Sequence, residues 1–365
     1  MSTMRAVILK RPHEIAVEEI ELITDLAPDE VLLKVELSAI CGTDIHPYEG
    51  RMEVEDDLRL GHEFLGTVVD AGVGVQLWSA GDRAVASCVV NCGFCHMCRR
   101  NQPGACVGLR IFGLGLTTGG LDGGQAEYVR VPAADLSMRR IPEGGAGTDE
   151  DYLMVGDILT TGYEAVRAHY TPGDVVAVVG AGPVGLCAAM SAQVLGASKV
   201  ILIDKIASRL KEAEAFGAIA VNADETNPVD AVLDLTEWRG ADVVVDAVGH
   251  PSALATAIRL PRAGGSLAIP GVYNEETLEM PWGEIWFKGI KISGGAGNIT
   301  RYMDEALALV VEGKLNPGRM VSHRMPLSEA AEAYRMFHAR EAMKIVLDPP
   351  ADPPSVPVPD QERSP

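Results

Sequence analysis

The chain has 365 residues, 47% of them hydrophobic and 22% charged, with a formal net charge of −20. That length accommodates two domains and a large core, and the composition is ordinary for a globular chain. The acid surplus lacks the basic face a nucleic-acid binder needs and opposes docking on anionic lipid.

The N-terminal run Met4-Arg5-Ala6-Val7-Ile8-Leu9-Lys10 is too short for a signal-peptide core and reads as a first strand. Residues 1–150 carry short β-rich runs at Val31–Val35, Gly66–Val69 and Ala84–Ala86. Gly and Pro cut them at short intervals, as in an all-β barrel-like or sandwich-like domain. Four of the seven cysteines then crowd into Cys92, Cys95, Cys98 and Cys106, a C-x2-C-x2-C-x7-C spacing. Clustered thiols without a secretory signal read as metal ligands rather than disulfides. Four thiolates on a compact loop suit a closed, structural zinc site with no position open to substrate. Iron–sulfur motifs begin with the same spacing, but the seven-residue gap and the lack of Cys-Pro at the fourth ligand disfavour that reading. His96 reads as a surface residue, and Cys88 and Cys187 as small core residues.

The middle of the chain alternates differently. Val175–Val179, Val200–Ile203, Val243–Val245 and Leu267–Ile269 are short apolar strands, separated by helical stretches at Val184–Leu195, Ala207–Phe216 and Ser252–Leu260. This predicts a Rossmann-type, doubly wound parallel sheet. Val175–Ala197 is long and apolar enough to suggest a membrane span, but Gly180, Gly182, Pro183 and Gly185 interrupt it near its start. Strand, turn and helix suit that pattern better. The stretch Gly180-Ala181-Gly182-Pro183-Val184-Gly185 fits G-x-G-x-x-G directly after a strand, the fingerprint that seats a dinucleotide pyrophosphate on a helix N-terminus. Asp204 ends the next strand, where a carboxylate accepts from ribose hydroxyls and repels a 2′-phosphate. NAD is therefore expected over NADP, with Lys205 and Arg209 close enough to blunt the preference. The alternative is a glycine turn that merely packs, with Asp204 capping a helix.

After Gly297, Tyr302–Glu312 and Ser328–His338 read as amphipathic helices and Lys344–Leu347 as a last strand. The division expected is a β-rich zinc-binding catalytic domain over 1–157, the nucleotide domain over 158–296, a return to the catalytic domain over 297–348, and a disordered, proline-rich tail over 349–365.

Two further segments, Cys41-Gly42-Thr43-Asp44-Ile45-His46 and Gly61-His62-Glu63-Phe64-Leu65-Gly66, resemble the zinc-binding elements of medium-chain alcohol dehydrogenases. The resemblance runs from about Met4 to Leu347 and includes the four-cysteine lobe, the stretch Gly123-Gly124-Gln125-Ala126-Glu127-Tyr128-Val129, the nucleotide fingerprint and Gly294-Gly295. It implies a GroES-like catalytic domain beside the Rossmann domain, two zinc ions per chain, NAD, and a cytoplasmic homodimer or homotetramer. It also implies that Cys41, His62 and Asp157 hold a catalytic zinc. Many members carry Cys at the third position, and Asp157 is similar to some formaldehyde-dehydrogenase-like members. A carboxylate in place of a thiolate makes zinc a harder Lewis acid. Glu63 resembles a near-metal residue that binds zinc transiently during ligand exchange, and Asp44 the carboxylate that orients the ligating His.

By the same resemblance Thr43 accepts the alcohol proton, passes it through the cofactor ribose, and His46 hands it to solvent; turn and cap chemistry is the other reading of this pair. Gly42 stands where some members place a phosphate-binding Arg, which leaves the pyrophosphate to the helix N-terminus and to Lys344, unless Lys344 is a solvated strand residue. Tyr48, Phe112, Trp282 and Trp286 are candidate pocket walls, or else core or oligomer contacts. The acidic loop Arg51–Arg59 (Glu53, Glu55, Asp56, Asp57) biases against anionic substrates, or is simply solvated. The expected activity is hydride transfer between a primary or secondary alcohol and NAD. Polyol, sugar-alcohol or formaldehyde-type thiol-adduct oxidation on the same fold is the alternative, and a non-catalytic nucleotide-binding protein a third.

Overall fold

The computed structural model describes residues 3–22 and 24–350. The expected disordered tail falls mostly outside them; Pro349 and Pro350 carry no regular secondary structure. The chain divides into two units, one comprising the residues up to Asn101, Cys106–Gly156 and those from Val321 on, the other Gln102–Ala105 and Asp157–Met320.

The first unit is β-rich. Its main sheet runs in the order Met138–Arg140, Arg83–Ala86, Glu63–Ala71, Val31–Ala39, Ile345–Asp348, His323–Pro326, and Tyr128–Val131 also pairs with Val31–Ala39. A smaller sheet joins Glu14–Glu21, Thr3–Arg11 and Leu58–Arg59. The register of the central strand positions the site. Ala39 pairs with Glu63 on one side and with Val346 on the other, both antiparallel. The end of one strand therefore meets the beginnings of two others, and Cys41, His62 and Lys344 come to the same edge of the sheet.

The second unit holds the expected doubly wound sheet. Its strands lie in the order Ile219–Asn222, Lys199–Asp204, Val175–Val179, Ala241–Asp246, Pro261–Ile269, Lys291–Gly294, all parallel. All five residues of Val175–Val179 are buried, as a strand covered on both faces requires. The long apolar stretch resolves into this strand and the helix Pro183–Val194. No helix among the described residues is long and apolar enough to cross a membrane.

The sequence reading ended this unit at residue 296, whereas it continues to Met320. The reason is packing: the helix Ile299–Val311 lies against the helix Ile158–Arg167, with the Tyr302 and Tyr163 rings 6.2 Å apart. An amphipathic helix shows that it buries one face, but not which sheet receives it.

Candidate metal and nucleotide sites

The first site begins where the strand Val31–Ala39 ends. A short helical turn over Gly42–Asp44 is closed by its own ends: Cys41 N–H donates to Asp44 Oδ2 at 2.9 Å, and Asp44 N–H to the Cys41 carbonyl at 3.1 Å. Gly61 precedes His62 with φ +102°, and a side chain there would meet Gln125 Cγ at 2.4 Å, so only glycine fits. The helix Asp149–Val155 opens on a capping box between Thr148 and Asp151. At its far end the Gly156 carbonyl accepts from Cys88 N–H at 2.9 Å, which places Asp157 one peptide further on. The donor atoms of Cys41, His62, Glu63 and Asp157 all lie within 4.8 Å of one another. One thiolate, one imidazole and two carboxylates inside the fold make a donor set that zinc accepts. Thr43 Oγ1 is 3.8 Å from Cys41 Sγ, and His46 sits in the following turn, 8% exposed.

Behind these donors runs a buried polar chain. His62 Nδ1 is 3.1 Å from Asp44 Oδ1, so the ring's other nitrogen is the one left to a metal. Asp44 Oδ2 accepts from Cys41 N–H and, at 3.4 Å, from Gln125 Nε2. Gln125 Nε2 also donates to the Ala39 carbonyl at 3.1 Å. The Tyr334 hydroxyl, fully buried, donates to Gln125 Oε1 at 2.8 Å. Burial pushes that phenol far above its usual range, with the Asp44 charge adding to it, so it remains a donor and fixes which way the Gln125 amide points. Asp44 was visible in the sequence; Gln125 and Tyr334 were not singled out. Asp44→Asn tests the chain. Asp44 Oδ2 accepts from N–H groups and Oδ1 lies against the His62 ring, and an amide turns its own N–H toward one of these neighbours. Metal affinity should fall by about 10–100-fold in a chelator competition; a change below about threefold would contradict the arrangement.

Lys344 corrects an expectation. It reaches neither solvent nor a phosphate: it is 0% exposed, and its Nζ lies 2.7 Å from Glu63 Oε1 and 2.9 Å from the Ile40 carbonyl. The pairing of Val346 with Ala39 carries it inward. Glu63 thus has a lysine on one side and the donor cluster on the other.

The four cysteines of the loop form a second cluster. Their sulfurs lie 3.5 Å (Cys92–Cys106, Cys95–Cys98), 3.9 Å (Cys95–Cys106) and 4.0 Å (Cys92–Cys98) apart. A tetrahedron with Zn–S bonds of about 2.3 Å has edges of about 3.8 Å, so the spacing fits zinc. Backbone N–H groups of Cys92, Cys95 and Gly108 point at the sulfurs at 3.4 Å. Backbone donors from Cys98 and Val107 pull the Cys95 thiol down to about 6, while burial, reinforced by the Cys95 thiol, pushes Cys98 up to about 12. His96 is exposed; Cys88 and Cys187 are buried.

In the second unit Gly182 caps the helix Pro183–Val194 without a side-chain bond, so its first N–H groups face outward beside Val184. A Cβ on Gly182 would meet only Arg209 Nη1, at 3.7 Å, whereas one on Gly185 would lie 1.8 Å from the Gly180 carbonyl. The turn is open toward a phosphate and closed toward the strand, a cradle that fits a dinucleotide. Asp204 Oδ2 accepts from Ala181 N–H at 2.7 Å, and Oδ1 from Lys205 and Ile206 N–H. The carboxylate is thereby held beside the glycine turn.

The aromatic candidates fall elsewhere. Phe112 is a core residue, edge-on to Phe64 at 5.1 Å. Tyr48 is enclosed by the His13, Tyr334 and His338 rings. Trp282 and Trp286 are 66% and 75% exposed, so neither belongs to the core. Part of the acidic loop is tied down internally: Glu55 accepts from Leu116 N–H and Asp57 pairs with Lys10.

Comparison with known proteins agrees with this anatomy. Residues 27–143 match the alcohol dehydrogenase GroES-like domain and residues 183–312 the zinc-binding dehydrogenase domain. The alcohol dehydrogenase TADH of Thermus sp. ATN1 superimposes with a TM-score of 0.91 at 40% identity, covering 95% of this chain and 100% of that one. Zinc-type alcohol dehydrogenase B of Aspergillus flavus is 34% identical over 94% of this chain and 81% of its own. The glutathione-independent formaldehyde dehydrogenase of Pseudomonas aeruginosa is 31% identical over 96% and 98% respectively.

Proposed function

Because the chain belongs to the zinc-dependent medium-chain alcohol dehydrogenase family, we propose that it moves a hydride between a primary or secondary alcohol and NAD. The enzyme is a zinc-dependent oxidoreductase with a nicotinamide cofactor, and its substrates are small alcohols or aldehydes. The observation that carries the finer reading is the shell of Cys41, His62 and Asp157, with His62 braced by Asp44.

When bound, zinc supplies Lewis-acid polarisation of the alcohol oxygen and nicotinamide accepts the hydride. The protein does the rest. Cys41, His62 and Asp157 would hold the metal, a three-residue set of the kind that keeps a position open for substrate. Asp44 keeps His62 in one tautomer, and Lys344 draws Glu63 away from permanent ligation. The Thr43 hydroxyl, beside Cys41, would take the alcohol proton as it gives up its own toward the cofactor ribose, and His46 would hand that proton to solvent. Cys92, Cys95, Cys98 and Cys106 hold a second zinc that closes their loop. Gly180, Gly182, Pro183, Val184 and Gly185 seat the pyrophosphate. Asp204 takes the ribose hydroxyls and disfavours a 2′-phosphate, while Arg209 lies close to Gly182.

Lys291–Gly294 ends its sheet among the described residues, and the helix Trp282–Lys288 that precedes it in the chain leaves Trp282, Trp286 and Phe287 well exposed. Such an edge and patch fit a second copy of the chain, so a homodimer or homotetramer is proposed. Reduced thiolate clusters suit the cytoplasm.

A zinc-loaded preparation screened against simple alcohols, diols, formaldehyde and hydroxymethyl thiols tests the reading. We expect about two zinc ions per chain and turnover with NAD at least about tenfold better in kcat/KM than with NADP. Failure with every substrate would leave a nucleotide-binding protein without catalysis. Turnover confined to formaldehyde would favour the activity named for the Pseudomonas relative, and turnover confined to hydroxymethyl thiols would favour a thiol-adduct dehydrogenase.

A further inference from the structure

The catalytic reading gives the buried carboxylate of Asp246 no role. Asp246 ends the strand Ala241–Asp246 and is 0% exposed, and burial raises its carboxyl above the usual range. Its Oδ1 accepts from Val248 N–H at 3.0 Å and Gly249 N–H at 3.5 Å. Its Oδ2 lies 2.6 Å from the Tyr273 hydroxyl, which is also 3.2 Å from the His250 carbonyl. Tyr273 belongs to the loop after the neighbouring strand, Pro261–Ile269. The two loops touch along their backbones as well. Gly271 N–H donates to the Asp246 carbonyl at 3.1 Å, and a Cβ on Gly249 would stand 2.4 Å from the Val272 carbonyl.

The place of this clasp gives it meaning. From Val175–Val179 the chain winds outward through Lys199–Asp204 and Ile219–Asn222, then returns to Ala241–Asp246 on the other side. Open α/β sheets bind ligands off the strand ends at such a switch point. Asp204 stands on the first side of the glycine turn. The clasped loops stand on the second: Ala247 N–H donates to the Val179 carbonyl at 2.9 Å, and a Cβ on Gly180 would lie 2.6 Å from Val248 Cγ2. Val248 and Val272, 47% and 37% exposed, project from the two loops and offer an apolar surface.

We propose that the Asp246–Tyr273 hydrogen bond is a positioning device for the nicotinamide half of the cofactor, locking two loops into the surface on which that half rests. The proposal rests on the nucleotide reading above. It assigns the adenosine half to Asp204 and the other half to the clasp. Breaking the bond frees the second loop while the glycine turn and Asp204 stay in place.

The test is titration calorimetry of the zinc-loaded chain with NADH and with ADP-ribose, which lacks the nicotinamide. Tyr273→Phe should weaken NADH by about tenfold and leave ADP-ribose within about twofold. Asp246→Ala removes the acceptor of the Tyr273 hydroxyl and should shift the same way. Unchanged NADH binding in Tyr273→Phe, or an equal loss of both ligands, overturns the clasp while the unaltered chain still binds ADP-ribose. Absence of ADP-ribose binding by the unaltered chain overturns the nucleotide reading itself, and the clasp with it.

Discussion

Cys41→Ala should lower kcat/KM by about a thousandfold and leave about one zinc ion per chain instead of about two. The thiolate is the softest donor of the cluster formed with His62, Glu63 and Asp157, and one imidazole with carboxylates holds zinc far less well. Lewis-acid stabilisation supplies several kcal/mol, and each 1.4 kcal/mol is a factor of ten in rate. The residual zinc belongs to the four-cysteine loop, whose donors come from an independent segment. Metal analysis and steady-state kinetics on the same sample decide the matter. Full metal content with a rate within about tenfold of the unaltered enzyme would refute the assignment.

Lys344→Met should destabilise the first unit by about 3–5 kcal/mol, the cost of removing one partner from a buried ion pair. Both side chains are fully enclosed, so water cannot take over the solvation of Glu63. The Ile40 carbonyl loses a donor in the same step. The double variant Lys344→Met, Glu63→Leu should recover much of the loss, because it removes the stranded charge. Metal-free protein shows the full effect; bound zinc places another cation near Glu63 and shrinks it. Thermal unfolding of the four preparations gives the coupling. A single-variant loss below about 1 kcal/mol would mean that the pair contributes little.

What could be read in the sequence was local. The glycine fingerprint and the cysteine spacing encode their geometry within a dozen residues, so both sites were legible before any fold was known. Asp44 was legible only through the resemblance of its segment to the family's zinc-binding element, not from its spacing. Lys344 was not: beside Ile345-Val346-Leu347 it looks like any strand lysine, and only its register against Ala39 turns it inward. Gln125 offered a faint signal, a polar residue between two glycines and an apolar strand, but nothing tied it to Tyr334, 209 positions later. The tryptophans left three readings open, pocket wall, core or oligomer contact, because an apolar residue reports that something covers it without saying what. In the helix Trp282–Lys288 only Ile285 is buried by the chain itself. The Asp246–Tyr273 clasp joins the end of one strand to the loop after its parallel neighbour, which no short-range pattern brings together.

The ion pair behind the metal also sets an order of events during synthesis. Glu63 emerges early, and its lysine follows 281 residues later. Throughout most of translation the acidic half waits inside a nascent β-domain without its counter-ion. A chain released before Ile345–Asp348 has joined the sheet can assemble its nucleotide-binding half but not a settled metal pocket. Ile345–Asp348, the last strand among the described residues, thus completes a pocket whose other walls are encoded near the opposite end of the described chain.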